Sequence, residues 1–305
     1  MDQAETTIKP VAPFDFDLTA GYHTYFRGRY GTDSLDQGVY RRLLDLGGRL
    51  ALASVRSVGS VERPELSIEV QGEALSDNDV AAAARQVSWL LGAEQDLSSF
   101  YRVAGTDPAL RRITERFYGL HLTHTASVFE ALVLAILGQQ VATAMARMVR
   151  TLLIETYGPR QTIAGETHYA FPRPDSLQAA TVEDLRRLKL SQRKAEYVRG
   201  IAAAALDGAG WLEGLHHLGD DAVVERVTQL RGVGPWTAQW VLVRALGRPD
   251  AFPSGDLALQ RAISGLYFTG EKLSAAEVED FSRRWSPCRA YATAYMFTAL
   301  RAGMG

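Results

Sequence analysis

The chain has little of what metal and redox proteins need, because its 305 residues include one cysteine, Cys288. A single cysteine excludes an internal disulfide and any zinc or iron–sulfur site held by four thiolates. The six histidines are scattered and do not show the spacing of a metal site. We therefore expect a protein that requires no cofactor and carries no iron–sulfur cluster.

Long hydrophobic runs are also missing. The longest apolar stretches, such as FEALVLAIL at 129–137, are too short to cross a bilayer. The first residues, MDQAETTIKPVAP, include two acids and no apolar block, so we expect no signal peptide. These absences predict a cytoplasmic protein with no membrane partner. A length of 305 residues predicts more than one domain.

Neither sign of charge is in strong excess, since the net charge is −2. Acidic residues outnumber Lys and Arg by 15 to 10 in residues 1–105, whereas Lys and Arg lead by 23 to 20 afterwards. The stretch LRRLKLSQRKAEYVRG at 185–200 contains six basic residues and one acid. Such a run is typical of a solvated helix face, but it can also contact phosphate groups. Both interpretations remain open at the level of sequence.

The first third of the chain is rich in strand patterns. Segments 38–46, 48–59 and 65–73 alternate apolar and polar residues between Gly- or Pro-containing breaks, as in an antiparallel sheet with one wet face. Segment 77–92 begins with Asp and Asn as candidate N-caps and ends in glycine, which predicts a helix. Residues 1–97 are therefore predicted to form a small α+β domain.

After residue 97 the strand signal nearly vanishes and helical periodicity dominates to the end of the chain. Short loops that contain Gly, Pro or Asp separate the helical segments. The predicted fold class is therefore multidomain, α+β and all-α. A small N-terminal antiparallel sheet with a helix precedes a helical region over 98–305.

The segment LRGVGPWTA at 230–238 predicts a helix, a hairpin turn and a second helix. Gly232 and Gly234 let another molecule approach the backbone closely, and Pro235 suits the first turn of a helix. Unpaired N–H groups at a helix N-terminus form a phosphate site. This pattern indicates a helix-hairpin-helix that binds DNA of any sequence, with an ordinary turn between helices as the alternative.

Asp256 lies 22 residues after Gly234, behind one helix and the loop GRPDAFPSG. In the simplest interpretation it is an N-cap for the next helix. A carboxylate near a phosphate-binding turn repels DNA, however, so its presence there also indicates a chemical role. Asp256 is therefore the candidate catalytic residue.

Three motifs in order resemble the helix-hairpin-helix–Gly/Pro–Asp superfamily of DNA glycosylases: AILGQQVA at 135–142, LRGVGPWTA with Asp256, and a final RxYAxxYMF-like helix at 289–297. The chain resembles most the bacterial 3-methyladenine DNA glycosylase II (AlkA-like) branch. The likeness spans almost the whole chain and is strong from 129 to 300. It implies two helical subdomains, 98–120 with 249–305 and 121–248, the second of which carries the hairpin. It also implies that the protein is a monomer, that its partner is double-stranded DNA with alkylated bases, and that it acts at the nucleoid.

The resemblance also implies roles for individual residues. Asp256 would stabilise the positive charge that develops on the sugar and orient the attacking water. The residues that would contact DNA are Gly232, Val233, Gly234, Thr237, Gln139 and Gln140. Aromatic residues would hold a cationic alkylated base by cation–π attraction, namely Trp236, Trp240, Tyr22 and Phe297. A monovalent cation, Na⁺ or K⁺, would bind the main-chain carbonyls of Thr228, Leu230 and Val233.

Position 236 indicates the type of reaction. Relatives that also cut the strand carry a lysine there, and this chain has Trp236. Lys194 and Lys272 lie in polar segments that we expect to be well away from the hairpin. The expected activity is therefore monofunctional: the base is flipped out and excised, as for 3-methyladenine or 7-methylguanine, and an abasic site remains.

The sequence departs from the AlkA-like branch at two positions, and two other functions remain as alternatives to this prediction. Gln140 stands where the branch has an apolar wedge, and Phe297 stands where a tryptophan is common. One alternative is a glycosylase for oxidised or mismatched bases, which needs hydrogen-bonding groups in the pocket. The other is a non-catalytic DNA-binding protein, which has no need of Asp256.

Overall fold

The N-terminal part is built on a six-stranded antiparallel sheet. The computed structural model describes residues 1–25, 29–207 and 210–304. The strands are β1 Asp2–Ile8, β2 Arg29–Tyr30, β3 Asp33–Asp36, β4 Val39–Asp45, β5 Leu50–Ser57 and β6 Leu66–Gly72. Their order in the sheet is β1-β6-β5-β4-β3-β2. Helices α1 (Phe16–His23) and α2 (Asp77–Leu90) accompany the sheet.

Alternating side chains bury most of one face of the sheet, and Leu43 and Leu52 form a smaller buried cluster on the other. In β6, Leu66, Ile68 and Val70 are fully buried, and Ile68 lies opposite Val55 of β5. These residues pack in one core with α2. The three predicted strands are confirmed as β4, β5 and β6. Strand β1 was not predicted, because its sequence DQAETTI is polar and largely exposed at the sheet edge.

The N-cap candidates predicted for α2, Asp77 and Asn78, lie one and two residues after the observed cap. Ser76, and not Asp or Asn within the segment, accepts a hydrogen bond from the backbone N–H of Asp79. The Asp79 carboxylate accepts in return from the backbone N–H of Ser76 at 2.9 Å. This reciprocal capping box gives two backbone N–H groups a side-chain acceptor.

The rest of the described chain is mostly helical, as predicted. The helices are α3 Ser98–Gly105, α4 Pro108–Arg116, α5 Val128–Gly138, α6 Thr143–Tyr157, α7 Pro174–Ala179, α8 Val182–Arg187, α9 Gln192–Leu206, α10 Trp211–Gly214, α11 Asp220–Thr228, α12 Pro235–Arg244, α13 Leu257–Tyr267, α14 Ala275–Ser282 and α15 Arg289–Arg301. They share one hydrophobic core in which Trp285 and Tyr295 are almost completely buried. A short hairpin of β7 Arg160–Ile163 and β8 Glu166–Tyr169 interrupts the helices and was not predicted. Within the described ranges, none of the helices has the length and hydrophobicity that a bilayer span requires.

A turn at 139–142 divides the longest periodic stretch, 125–158, into α5 and α6. In this turn Gln140 has a φ of +53°, in the left-handed region that residues other than glycine seldom adopt. The turn has no glycine at position 140 and no proline, so the sequence pattern runs through it without a break. The turn nevertheless contains Gln139 and Gln140, two of the residues predicted to contact DNA, and places them at the end of α5.

Buried ion pairs connect the sheet to α5 and α6. Arg42 on β4 donates to Asp33 at 3.0 Å and to Glu130 on α5 at 2.7 Å, and Arg150 on α6 lies 3.6 Å from Asp33. Burial alone would raise the pKa of Asp33, but Arg42 and His23 hold it well below its usual value. The N-terminal domain therefore fixes the two helices that flank the 139–142 turn.

Candidate active site

Helices α11 and α12 are joined by a tight turn at 229–234, which we call the hairpin. Gly232 has a φ of +92°, a conformation that favours glycine. A Cβ at this position would overlap the ring of Tyr197 from α9. The N–H of Val233 donates to the carbonyl of Leu230 at 3.0 Å and closes the turn. The predicted helix-hairpin-helix is therefore present.

The N-terminus of α12 is open to a ligand. Its N-cap is Gly234, which has no side chain to accept from the first N–H groups of the helix. A Cβ at Gly234 would meet no atom within 4 Å, so the backbone is uncovered on this side. Pro235 is the first helical residue and is exposed. Free N–H groups and the helix dipole together favour a phosphate at this position.

The two glycines should respond differently to substitution by valine. We expect Gly234→Val to fold normally and to lose about tenfold in affinity for duplex DNA, because its side chain blocks the approach of phosphate. Gly232→Val should also lose stability, since Tyr197 occupies the space for its side chain. Thermal melting and fluorescence anisotropy with two unrelated undamaged duplexes measure the two effects.

Gly105 is the matched control, because a Cβ there also meets open space and the residue lies at the end of α3. Gly105→Val should leave the DNA affinity unchanged. A loss for Gly234→Val that affects only one of the two duplexes, or no loss at all, would mean that the hairpin is an ordinary turn.

Asp256 caps α13 and also faces the hairpin. Its Oδ1 accepts from the backbone N–H groups of Ala258 at 2.9 Å and Leu259 at 3.1 Å. Its Oδ2 accepts from the indole Nε1 of Trp236, in the first turn of α12, at 3.0 Å. Asp256 is therefore the N-cap of α13, as the simplest interpretation predicts, and its second oxygen is held at the start of the hairpin's second helix.

Three of the four predicted pocket aromatics form a continuous row. The rings of Trp236 and Trp240 meet edge to face with centroids 6.5 Å apart, and Trp240 stacks on Phe297 at 6.0 Å. The Nε1 of Trp240 is buried and has no hydrogen-bond partner among the described residues. Leu257, next to Asp256, exposes 66% of its surface and was not singled out from the sequence. The aromatic row thus ends at the carboxylate of Asp256, and it contains one N–H donor without a partner, the Nε1 of Trp240.

Among the described residues, Tyr22 makes no ring contact with this row. It is 3% exposed and belongs to the core of the helical region. The guanidinium of Arg301 covers its ring at 4.8 Å and that of Tyr25 at 4.0 Å. A face that already holds a guanidinium is not available to a cationic base. Arg301 was missed by the sequence analysis, because no local pattern links it to α1.

Gln139 and Thr237 point into the protein. The Nε2 of Gln139 donates to the carbonyl of Gly232 at 2.9 Å and to the hydroxyl of Thr237 at 3.2 Å. The side chain of Thr237 is buried, so its main-chain N–H is the group left for DNA. Gln140, by contrast, is exposed at the tip of the turn. The two predicted glutamines therefore differ in position: Gln139 joins the turn to the hairpin, and Gln140 faces solvent.

The expectation that Lys194 lies well away from the hairpin was wrong. Its Nζ donates to the carbonyl of Gln139 at 2.6 Å, and the Gln139 side chain reaches Gly232. Burial lowers the pKa of this amine. Other charges of the 185–200 run are paired locally, as in Arg187 with Asp184 at 3.0 Å. The run is thus in part a solvated helix face and in part a support for the site.

The carbonyl groups predicted for a cation lie at the end of α11 and in the hairpin. Thr228 is the last residue of α11, and Leu230 and Val233 belong to the turn that follows. The Leu230 carbonyl accepts one hydrogen bond from Val233, which leaves its second lone pair. Neutral carbonyl oxygens of this kind suit a hard monovalent cation rather than a transition metal.

Comparisons with known proteins agree with this geometry. Residues 133–288, slightly more than half of the chain, match the family described as HhH-GPD superfamily base excision DNA repair protein. The chain belongs to this superfamily. It is 33% identical to a DNA-3-methyladenine glycosylase of Bacillus subtilis over 207 residues, which are 68% of each chain.

Solved structures extend the similarity to the N-terminal domain. A 3-methyladenine DNA-glycosylase from Archaeoglobus fulgidus superposes with a TM-score of 0.85 at 30% identity and covers 97% of this chain and 98% of its own. An 8-oxoguanine glycosylase/lyase from Clostridium acetobutylicum, bound to DNA, reaches a TM-score of 0.77 at 19% identity and covers 99% and 98%. This superfamily member therefore has the fold of DNA glycosylases of base excision repair along nearly its whole length.

Proposed function

We propose that the protein is a monofunctional DNA glycosylase that flips alkylated bases out of duplex DNA and hydrolyses their N-glycosidic bonds. The observation that carries this proposal is the Asp256 carboxylate, which Trp236 holds at the end of the aromatic row and at the start of the hairpin's second helix. A pure DNA-binding protein has no use for a negative charge at this position, because Ser, Thr or Asn would also cap α13 without repelling the phosphate.

The chemistry follows from the position of the charges. As the glycosidic bond breaks, positive charge builds on the sugar, and a fixed carboxylate stabilises that transition state. Two backbone N–H groups and one indole N–H fix Asp256 before the substrate arrives, so the carboxylate needs no reorientation. Its remaining lone pairs face the sugar or the attacking water. The hairpin amides hold the adjacent phosphate.

The aromatic row favours a cationic base of the 3-methyladenine or 7-methylguanine type. Trp236, Trp240 and Phe297 offer electron-rich faces that attract a cation by about 0.5–2 kcal/mol each. The Nε1 of Trp240 is unpartnered but buried, so it would reach an acceptor on the base only if the ring shifted when the base bound. Such a donor would also suit an oxidised or mismatched neutral base, so 8-oxoguanine is included as a substrate in the experiment.

Base release without strand cleavage follows if no lysine amine reaches the Asp256 carboxylate, and the described residues show none bonded to it. Trp236 occupies the position of the Schiff-base lysine, and the Nζ of Lys194 donates to two main-chain carbonyls. Water is then the nucleophile, and an abasic strand is the product.

One experiment tests both the substrate and the reaction. The protein is incubated with duplexes that contain 7-methylguanine, 3-methyladenine or 8-oxoguanine, and each sample is divided between direct gel analysis and alkali treatment. We expect the protein to release the free methylated base, and we expect strand fragments to appear only in the sample treated with alkali. Release of 8-oxoguanine alone would favour the second substrate class. Fragments without alkali, or an adduct trapped by borohydride, would show that an amine attacks the sugar.

We further propose that Na⁺ or K⁺ binds the carbonyls of Thr228, Leu230 and Val233 and stiffens the hairpin. Duplex affinity should then fall when tetramethylammonium replaces both ions at equal ionic strength. Unchanged affinity would leave these carbonyls as parts of an ordinary turn. We also propose that the protein acts at the nucleoid, since its proposed substrate is duplex DNA, and that it acts as a monomer, as the resemblance to the AlkA-like branch implies.

A further inference from the structure

One face of α9 contacts both elements of the proposed DNA-binding surface. The Nζ of Lys194 donates to the carbonyls of Leu137 at 2.9 Å and Gln139 at 2.6 Å, at the end of α5. Tyr197 follows three residues later on the same face and fills the space beside Gly232 of the hairpin. A single rigid helix therefore supports the 139–142 turn and the hairpin at once.

The 139–142 turn has little support of its own. Gln140 adopts a left-handed φ of +53°, which costs free energy in a residue other than glycine. The next helix, α6, has Ala142 as its N-cap and therefore no side-chain cap. An ammonium group at the end of α5 binds carbonyls that carry the negative end of the helix dipole. Lys194 is thus one of two side chains, with Gln139, that hold this strained turn in place.

The same turn is linked to the hairpin by a side chain. Gln139 is fixed by Lys194 through its carbonyl, and its own Nε2 donates to the carbonyl of Gly232. The sequence of contacts from Lys194 to Gln139 to Gly232 sets the distance between exposed Gln140 and the hairpin. A displacement of about 1 Å in such an arrangement is enough to lower the rate of a reaction by orders of magnitude.

We propose that Lys194 is a positioning residue, which places Gln140 to enter the base stack while the hairpin holds the backbone of the same duplex. Tyr197 serves the same purpose by fixing the hairpin against α9. This inference rests on the proposed base-flipping function. It also gives a role to the basic run 185–200 that differs from direct phosphate binding, because two of the three ammonium protons of Lys194 are already donated to carbonyls.

The experiment uses a duplex with a tetrahydrofuran abasic analogue and 2-aminopurine as the neighbouring base. Insertion of a side chain into the stack raises 2-aminopurine fluorescence. At saturating protein, Lys194→Met should reduce this rise about fivefold relative to wild type. Lys194→Arg, which keeps the charge and its donors, should retain most of the rise. Affinity for undamaged duplex should change less than about twofold, because the hairpin amides remain.

The neighbouring exposed Arg193 provides the control, since Arg193→Met removes the same charge from the same helix. It should leave the fluorescence unchanged. A double-mutant cycle with Gln140→Ala tests the route: if Lys194 acts through Gln140, the two effects are not additive. Additive effects, or lower duplex affinity for Lys194→Met with an unchanged rise in fluorescence at saturation, would overturn the proposal.

The fluorescence measurement needs no catalysis, so it separates this inference from the proposed function. If wild-type protein released no base but raised the fluorescence in a Lys194-dependent way, the proposed function would fail and the positioning role would stand. If wild-type protein released methylated base and Lys194→Met showed the full fluorescence rise, the positioning role would fail alone.

Discussion

Asp256→Asn should reduce the single-turnover rate of base release by about 10³-fold, while the protein still binds DNA. The amide removes the charge that stabilises the developing cation on the sugar. Its carbonyl oxygen can still cap α13, because Asn is as good an N-cap as Asp. The duplex affinity should stay the same or rise, since one negative charge near the phosphates is lost. Base release from methylated duplex and anisotropy with the same duplex measure the two quantities.

The local cost of this substitution is predictable and small. The amide Nδ2 has to face the indole Nε1 of Trp236, which leaves two donors opposed and costs about 1 kcal/mol of stability. Thermal melting therefore accompanies the rate measurement. Asp221→Asn is the control, because Asp221 is an exposed acid in the first turn of α11 and its change alters the net charge equally. Near-wild-type excision by Asp256→Asn would remove Asp256 from the catalytic role.

Trp236→Phe should lower kcat about tenfold to 100-fold and leave KM nearly unchanged. Phenylalanine keeps an aromatic face next to Trp240 but cannot donate to Oδ2 of Asp256. The carboxylate then loses the bond that aims its second oxygen, while its capping of α13 remains. The loss appears in kcat because orientation of the carboxylate matters in the transition state.

Trp240→Phe is the matched comparison for Trp236→Phe. It removes the same indole N–H from a residue whose Nε1 has no partner among the described residues. We expect it to raise KM or change the preference among bases, with a smaller effect on kcat. If Trp236→Phe kept full kcat, or if both variants changed the same parameter equally, the Trp236–Asp256 hydrogen bond would have no special role.

The local parts of the site were predictable from the sequence. Gly232, Gly234 and Pro235 specify a tight turn followed by a helix, because each restricts or frees the backbone at its own position. Asp256 was predictable as a helix start on the same grounds, since a cap depends on neighbours two and three residues away. The helical class of the second region followed in the same way from the spacing of its apolar residues.

Other features depended on partners that are far apart in the chain. The carboxylate of Asp256 meets the indole of Trp236 20 residues away, and Gln139 meets Gly232 93 residues away. Arg301 covers Tyr22 from the opposite end of the chain. Propensity and periodicity describe each segment alone and carry no information about such pairs.

The sequence by itself determined which segments are helices, where the hairpin turns and which carboxylate follows it, since these depend on short-range backbone preferences. Only the tertiary structure decided how these groups are used. It places the ammonium group of Lys194 on the carbonyl of Gln139, although the sequence indicated only a surface charge. It also places the indole of Trp236 on the carboxylate of Asp256, in addition to its predicted place in the pocket. The physical reason is that a donor or acceptor removed from water costs free energy unless it finds a partner, and the packing of whole helices decides which partner lies within reach.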